Sequence, residues 1–210
     1  MLDNHGFDMW AGGYDTSVAI TDDNNDYPFA GYKKIMNAIY GTIMKKSPAK
    51  VLDIGIGTGN LAAKLYDGGN DITGIDFSKE MLSKAGAKMP NATLIQYDFT
   101  QGLPPELAQN KFDFIVSTYA LHHLTDEEKI PFIKSLLSHI NKTGSIFIGD
   151  VSFQNRAGLE KCQASYEDEW DDDEFYFVFS ELSDALGEVC NMTYHQFSHC
   201  SGVMEITRKC

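Results

Sequence analysis

The chain has 210 residues, of which 43% are hydrophobic and 22% charged, so it can build one core and lies outside the compositions of disordered and fibrous chains. Its 30 Asp and Glu outweigh 17 Lys and Arg for a formal charge of −13, which repels a phosphate backbone and argues against a nucleic-acid partner. Four spaced cysteines, Cys162, Cys190, Cys200 and Cys210, form no C-x-x-C pair, and no run is apolar for the length of a membrane span; reduced thiols, a cytoplasmic location and neither export nor membrane insertion are expected.

Residues 1–46 precede the first strong strand signal and read as an N-terminal cap carrying Trp10, Tyr14, Tyr27, Phe29 and Tyr32. From Lys50 onward, β-rich runs alternate with helix-like segments, the pattern of a mainly parallel sheet covered by helices on both faces. Strands are expected at 51–54, 71–75, 93–97, 112–118 and 145–150, several of them apolar without a break, as in strands buried on both faces. Between them, 61–66 reads as helix and Ser78 caps a helix running to Lys88. Gly102-Leu103-Pro104-Pro105 interrupts the chain, and Thr125 with Glu128 forms a capping box before a helix at 130–140.

Residues 153–179 read as an insertion after the fifth strand, rich in aromatics that include Tyr166, Trp170 and Tyr176. Within it Glu167 to Glu174 is an acidic run, either a solvated loop or a surface that steers a cationic substrate. Ser180 is expected to open a helix at 181–189. The last strands, 192–199 and 203–209, are joined by Cys200-Ser201-Gly202 as an antiparallel hairpin. No linker or repeat divides 1–210, which reads as one domain.

The strongest chemical signal is Val51-Leu52-Asp53-Ile54-Gly55-Ile56-Gly57-Thr58-Gly59-Asn60, an apolar strand running into a glycine-rich turn and a helix start. Glycines allow a ligand close to the backbone, and the helix start offers unpaired N–H groups. The spacing is Gly-x-Gly-x-Gly; Asn60 occupies the third-glycine position of the dinucleotide fingerprint, so pyrophosphate binding fits poorly. Asp53 would repel a phosphate there but can pair with the ammonium of an amino-acid moiety, which favours a sulfonium amino acid over NAD. Asp76 ends the second strand, where an acid accepts ribose hydroxyls or caps the following helix. Asp98 ends the third strand beside Phe99, as an acceptor for an adenine amine or as a turn aspartate.

Together, Val51 to Asn60, Gly74-Ile75-Asp76-Phe77-Ser78, Tyr97-Asp98-Phe99-Thr100 and Ile115 to Leu124 resemble the class I S-adenosylmethionine-dependent methyltransferases. The resemblance spans about residues 7–209, with Phe7-Asp8-Met9-Trp10 and Tyr14-Asp15 similar to small bacterial members. It implies an α/β Rossmann-like seven-stranded sheet of order 3-2-1-4-5-7-6 with strand 7 antiparallel and helices on both faces. It also implies S-adenosylmethionine as cofactor, held by Asp53 and the Gly55, Gly57 and Gly59 turn at the methionine end. Asp76 then holds the ribose, Asp98 and Phe99 frame the adenine, the Thr118 region offers a backbone carbonyl, and Phe77 and Tyr14 make further cofactor contacts.

Ala120-Leu121-His122-His123-Leu124 follows the fourth strand, where His122 is the candidate catalytic base, although alignment alone can drive methyl transfer. No metal is expected, because adjacent histidines point in different directions and no Cys lies close. The aromatic segments can form a lid over the cofactor or simply pack on the sheet. The expected activity is methylation of a small molecule; the competing readings are a non-catalytic sensor of the cofactor or partner subunit, and an NAD(P)-dependent oxidoreductase.

Overall fold

The computed structural model describes residues 14–209, the side chains of Tyr14, Asp15 and Ser17 excepted. Two helices come first, α1 (Tyr14–Asn24) and α2 (Tyr32–Met44). The alternating part follows as β1 (Lys50–Ile54), α3 (Asn60–Asp67), β2 (Asp71–Asp76), α4 (Lys79–Lys88), β3 (Thr93–Gln96), β4 (Phe112–Thr118), α5 (Asp126–His139) and β5 (Ile140–Phe153). After these come α6 (Arg156–Ser165), β6 (Phe177–Val178), α7 (Phe179–Leu186), β7 (Cys190–Gln196) and β8 (Ser201–Arg208). Among the described residues, no helix is long and apolar enough to cross a membrane.

The strands pair in the order β3-β2-β1-β4-β5-β8-β7, with β8 antiparallel to both neighbours. This is the expected Rossmann-like sheet with a reversed last strand. The two-residue β6, which pairs with the end of β5, is the addition. The chain winds outward from β1 through β2 to β3, then returns to place β4 on the other side of β1, so the order reverses between β1 and β4. A crevice opens at the carboxyl ends of strands on such a switch point.

Alternation along β1 decides which layer each side chain meets. Val51 joins an apolar cluster with Ile39 and Ile43 of α2 and Leu65 of α3. Leu52 and Ile54 join the opposite cluster with Ile133 and Leu136 of α5 and Leu186 of α7. Asp53 therefore shares the α2 and α3 face with Val51. Helix α2 presents Ile35, Met36, Ile39 and Ile43 to the sheet, the spacing of one helical face. It sits close because Gly149 of β5 has no side chain: a Cβ there would lie 2.5 Å from Ile35 Cγ2 and 3.2 Å from Ile39 Cδ1. Gly149→Ala is expected to lower the unfolding free energy by about 1–3 kcal/mol, seen as a lower urea midpoint with unchanged slope. An unchanged midpoint would show that α2 does not depend on this close approach.

Three local expectations are corrected. Ser180 does not cap α7; that helix starts at Phe179 behind Val178 without a side-chain cap, and the Ser180 N–H is engaged by the Gln154 carbonyl. The final hairpin turns at 197–200 rather than at Cys200-Ser201-Gly202, with the Phe197 and Ser198 N–H groups on the Ser201 carbonyl. Gly202 lies inside β8, where a Cβ would come within 2.4 Å of the Tyr194 ring, so the glycine makes room for that ring. β5 starts earlier than Ser145: Phe112 pairs with Ile140 and Phe114 with Ser145, so residues 141–144 bulge against β4. The 153–179 insertion holds α6, whose first turn is capped by Asn155 Oδ1 accepting the Gly158 N–H at 3.0 Å, and β6.

Candidate active site

The crevice at the switch point is a cleft lined by the ends of β1, β2 and β4, the turns after them, and α2. Of the residues singled out in the sequence, Asp53, Gly55, Gly57, Asp76, Phe77, Phe99 and Thr118 meet there. Gly55, Gly57 and Gly59 all have positive φ, at 68°, 54° and 77°, conformations that L side chains rarely adopt. Their surroundings differ. A Cβ on Gly55 would lie 2.4 Å from Ala120 Cβ, so this glycine lets the β1 turn touch the β4 turn. A Cβ on Gly57 would meet nothing within 4 Å, so its backbone faces open space. A Cβ on Gly59 would instead lie 2.9 Å from Met89 Cε and 3.3 Å from Ala85 Cβ of α4, and this glycine does not line the cleft.

Asp53 is 2% exposed, and its Oδ1 has no hydrogen-bond partner. Burial, and then the negative charge of Asp76, push its carboxyl up from 3.8 to about 8. An uncompensated carboxyl facing a cleft is poised for a cation. Asp76 is 6% exposed; its Oδ2 accepts the Gly57 N–H at 2.8 Å and its Oδ1 the Ser78 N–H at 2.9 Å. It thus ties the glycine turn to the start of α4, while Ser78 Oγ caps that helix by accepting the Met81 N–H. Asp98 is exposed and lies outside the cleft lining. Its Oδ1 accepts the Thr100 N–H at 3.0 Å and hydroxyl at 2.7 Å, which fixes the 3-10 turn Phe99–Gln101 and turns the buried Phe99 inward. The side chain of Tyr14, like Trp10, lies outside the described residues.

Tyr32, Met36 and the β4 turn also line the cleft. Tyr119 holds a left-handed φ of 51°, unusual for a residue with a side chain, and its N–H stays bonded to the Gly149 carbonyl at 2.8 Å. Its ring packs 5.3 Å from Tyr32 and 5.2 Å from Phe29. Most of the other aromatics pack on one another: Tyr27 stacks on Trp170 at 5.2 Å, and Tyr176 meets Trp170 edge-on at 4.9 Å.

The histidine pair divides its duties. The 3-10 turn Leu121–His123 buries His122 away from the cleft and leaves His123 in its lining. His122 Nδ1 lies 2.6 Å from Asp150 Oδ1, and Nε2 lies 3.5 Å from Glu174 Oε1. Burial opposes protonation of His122, but the charge and hydrogen bond of Asp150, with the charge of Glu174, prevail and hold its pKa above the ordinary value. His123 goes the other way, to about 4, through burial and then the neighbouring His122 charge. Adjacent histidines do converge here: their ring centroids are 4.3 Å apart, and a nitrogen of each lies within 4.8 Å of the other and of a Glu174 oxygen.

Sequence reasoning missed Asp150 and Glu174. The first had a signal, an acid at the end of an apolar strand. The second is the inward-turned member of the acidic run, whose other acids are exposed. It is drawn in by the Phe175 N–H on the His122 carbonyl at 2.8 Å and by Lys129 Nζ on the Phe175 carbonyl.

Residues 51–144 match a family model described as a methyltransferase domain. An uncharacterized methyltransferase of Anoxybacillus flavithermus is 41% identical over 155 residues, covering 73% of this chain and 69% of the relative. One of Geobacillus sp. strain WCH70 is 40% identical over 158 residues, 74% of this chain and 70% of the relative. Among solved structures, the DhpI–SAH complex superposes with a TM-score of 0.69 at 17% identity, over 98% of this chain and 94% of that one. Magnesium protoporphyrin IX methyltransferase from Synechocystis PCC 6803 with bound SAH gives 0.65 at 20% identity, over 86% and 85%. At these identities the structural likeness speaks for the fold alone.

Proposed function

The chain belongs to the class I S-adenosylmethionine-dependent methyltransferases, and on that premise we propose that it methylates a small-molecule acceptor at the cleft between β1 and β4. The observation that carries the reading is the orphaned, buried Asp53 Oδ1 facing a glycine turn whose backbone at Gly57 is open. These residues fit the cofactor: a carboxylate for its ammonium, side-chain-free backbone for its chain, and an acid at the end of β2 for its sugar.

In this reading Asp53 pairs with the ammonium, and Gly55 and Gly57 let the methionine chain lie against backbone. Asp76 accepts from the ribose, Phe77 and Phe99 flank the adenine, and the Thr118 backbone holds the amino end. Tyr14 is proposed as an additional contact. Asp98 and Gly59 act at one remove, by setting the Phe99 turn and by packing the glycine turn on α4. His122 does not line the cleft and acts through its neighbours as a positioning residue. S-adenosylmethionine supplies a methyl group on a positively charged sulfur; the chain supplies alignment and exclusion of water, which account for much of the acceleration of such a displacement. The −13 charge disfavours nucleic acid as acceptor.

Incubating the purified chain with methyl-labelled S-adenosylmethionine and a metabolite extract tests this directly. Label is expected in a low-mass product. Label confined to protein or RNA would refute the small-molecule acceptor, and cofactor binding without transfer to any fraction would favour a sensor.

A further inference from the structure

The geometry points to a divalent-cation site formed by His122, His123 and Glu174 at the edge of the cleft. A nitrogen of each histidine and a carboxylate oxygen of Glu174 lie within 4.8 Å of one another, close enough for modest side-chain movement to bring them around one ion. Two imidazoles and a carboxylate suit an ion of the zinc class rather than calcium or magnesium, which prefer oxygen.

The second observation is that the ligands are held as metal ligands usually are. His122 Nδ1 is engaged by the buried Asp150 at 2.6 Å, which fixes the ring and leaves Nε2 toward Glu174. Glu174 keeps Oε1 toward that nitrogen, while its Oε2 accepts the Tyr176 hydroxyl at 2.7 Å. Such outer partners orient ligands and raise their basicity.

Three protein ligands leave positions open, the arrangement of catalytic rather than structural zinc. Of the three ligands His123 lines the cleft, so an ion held here would lie beside the chamber assigned to the acceptor. The site therefore suits an acceptor bearing a coordinating oxygen, nitrogen or sulfur; this purpose rests on the methyltransfer reading, whereas the ion site itself does not. It departs from the sequence expectation of no metal, which assumed that neighbouring imidazoles diverge.

The test is equilibrium dialysis of the metal-stripped chain against Zn2+, with Co2+ as a spectroscopic probe. One equivalent per chain is expected, with Co2+ bands of a four- or five-coordinate site. His123→Ala and Glu174→Gln should each weaken binding at least about tenfold, and Asp150→Asn, which touches no ion, by about 10- to 100-fold. If Asp150→Asn does not fold, the half-buried His123→Ala carries the test. Binding well below one equivalent would overturn the site. So would affinity that survives both ligand changes and falls when Asp171, Asp172 and Asp173 become Asn, since the ion would then sit on the exposed run. Calorimetry of S-adenosylhomocysteine on the same metal-free sample separates the two readings, because either binding event can fail while the other persists.

Discussion

Asp53→Asn is expected to stabilise the ligand-free protein while weakening S-adenosylhomocysteine binding by about 10- to 100-fold, the usual loss for a buried charge-assisted hydrogen bond. Burial first, and Asp76 second, raise the Asp53 carboxyl from 3.8 to about 8. The folded value lies above the unfolded one, so between 3.8 and about 8 the folded chain retains a proton that the unfolded chain has released. Stability from this group therefore declines as pH climbs through that window, and levels off once the folded carboxyl has ionised. Asparagine cannot ionise. The advantage of the variant should widen with pH, to on the order of 1–3 kcal/mol at alkaline pH, as read from urea titrations on either side of the folded pKa. Identical pH dependence in the two proteins would show that the carboxyl is not strained by its site.

Asp76→Ala is expected to act in one direction on both properties. Cofactor binding should fall by about 1–3 kcal/mol, and the fold should weaken as well, because one buried and one part-buried backbone donor lose their acceptor. Those donors are the N–H groups of Gly57 and Ser78, at 2.8 and 2.9 Å from the two carboxylate oxygens. Removing Asp76 also removes the second cause of the Asp53 shift, so the Asp53 carboxyl should ionise at lower pH. A variant that binds S-adenosylhomocysteine as tightly as the parent chain would exclude Asp76 from the ribose site.

What the sequence disclosed follows from how local each feature is. The β1 turn, Asp53 and Asp76 were legible because strand alternation and the switch-point rule fix where strand-end residues go. Asp98 lies two residues beyond the end of β3 rather than closing it, and a short-range hydrogen bond to Thr100 competes for its carboxylate, as happens with aspartates in turns. His122 and His123 exchanged places because a single 3-10 turn decides which ring faces inward, and nothing in the order of two identical residues reveals that. The helical face of α2, with Ile35, Ile39 and Ile43, was readable by its period but is hidden when the segment is taken only as a cap. Glu174 had no sequence signal: two tertiary hydrogen bonds at Phe175 turn it inward from a run that is otherwise solvated.

Calorimetric titration of S-adenosylhomocysteine at neutral pH, in two buffers of different ionisation enthalpy, tests Asp53 as the partner of the ammonium most directly. A carboxyl with its pKa at about 8 is mostly protonated there and must ionise to receive a cation, so close to one proton per ligand should be released. The release should vanish in Asp53→Asn. Binding without proton exchange, or no binding to well-folded protein, would contradict the assignment of this cleft.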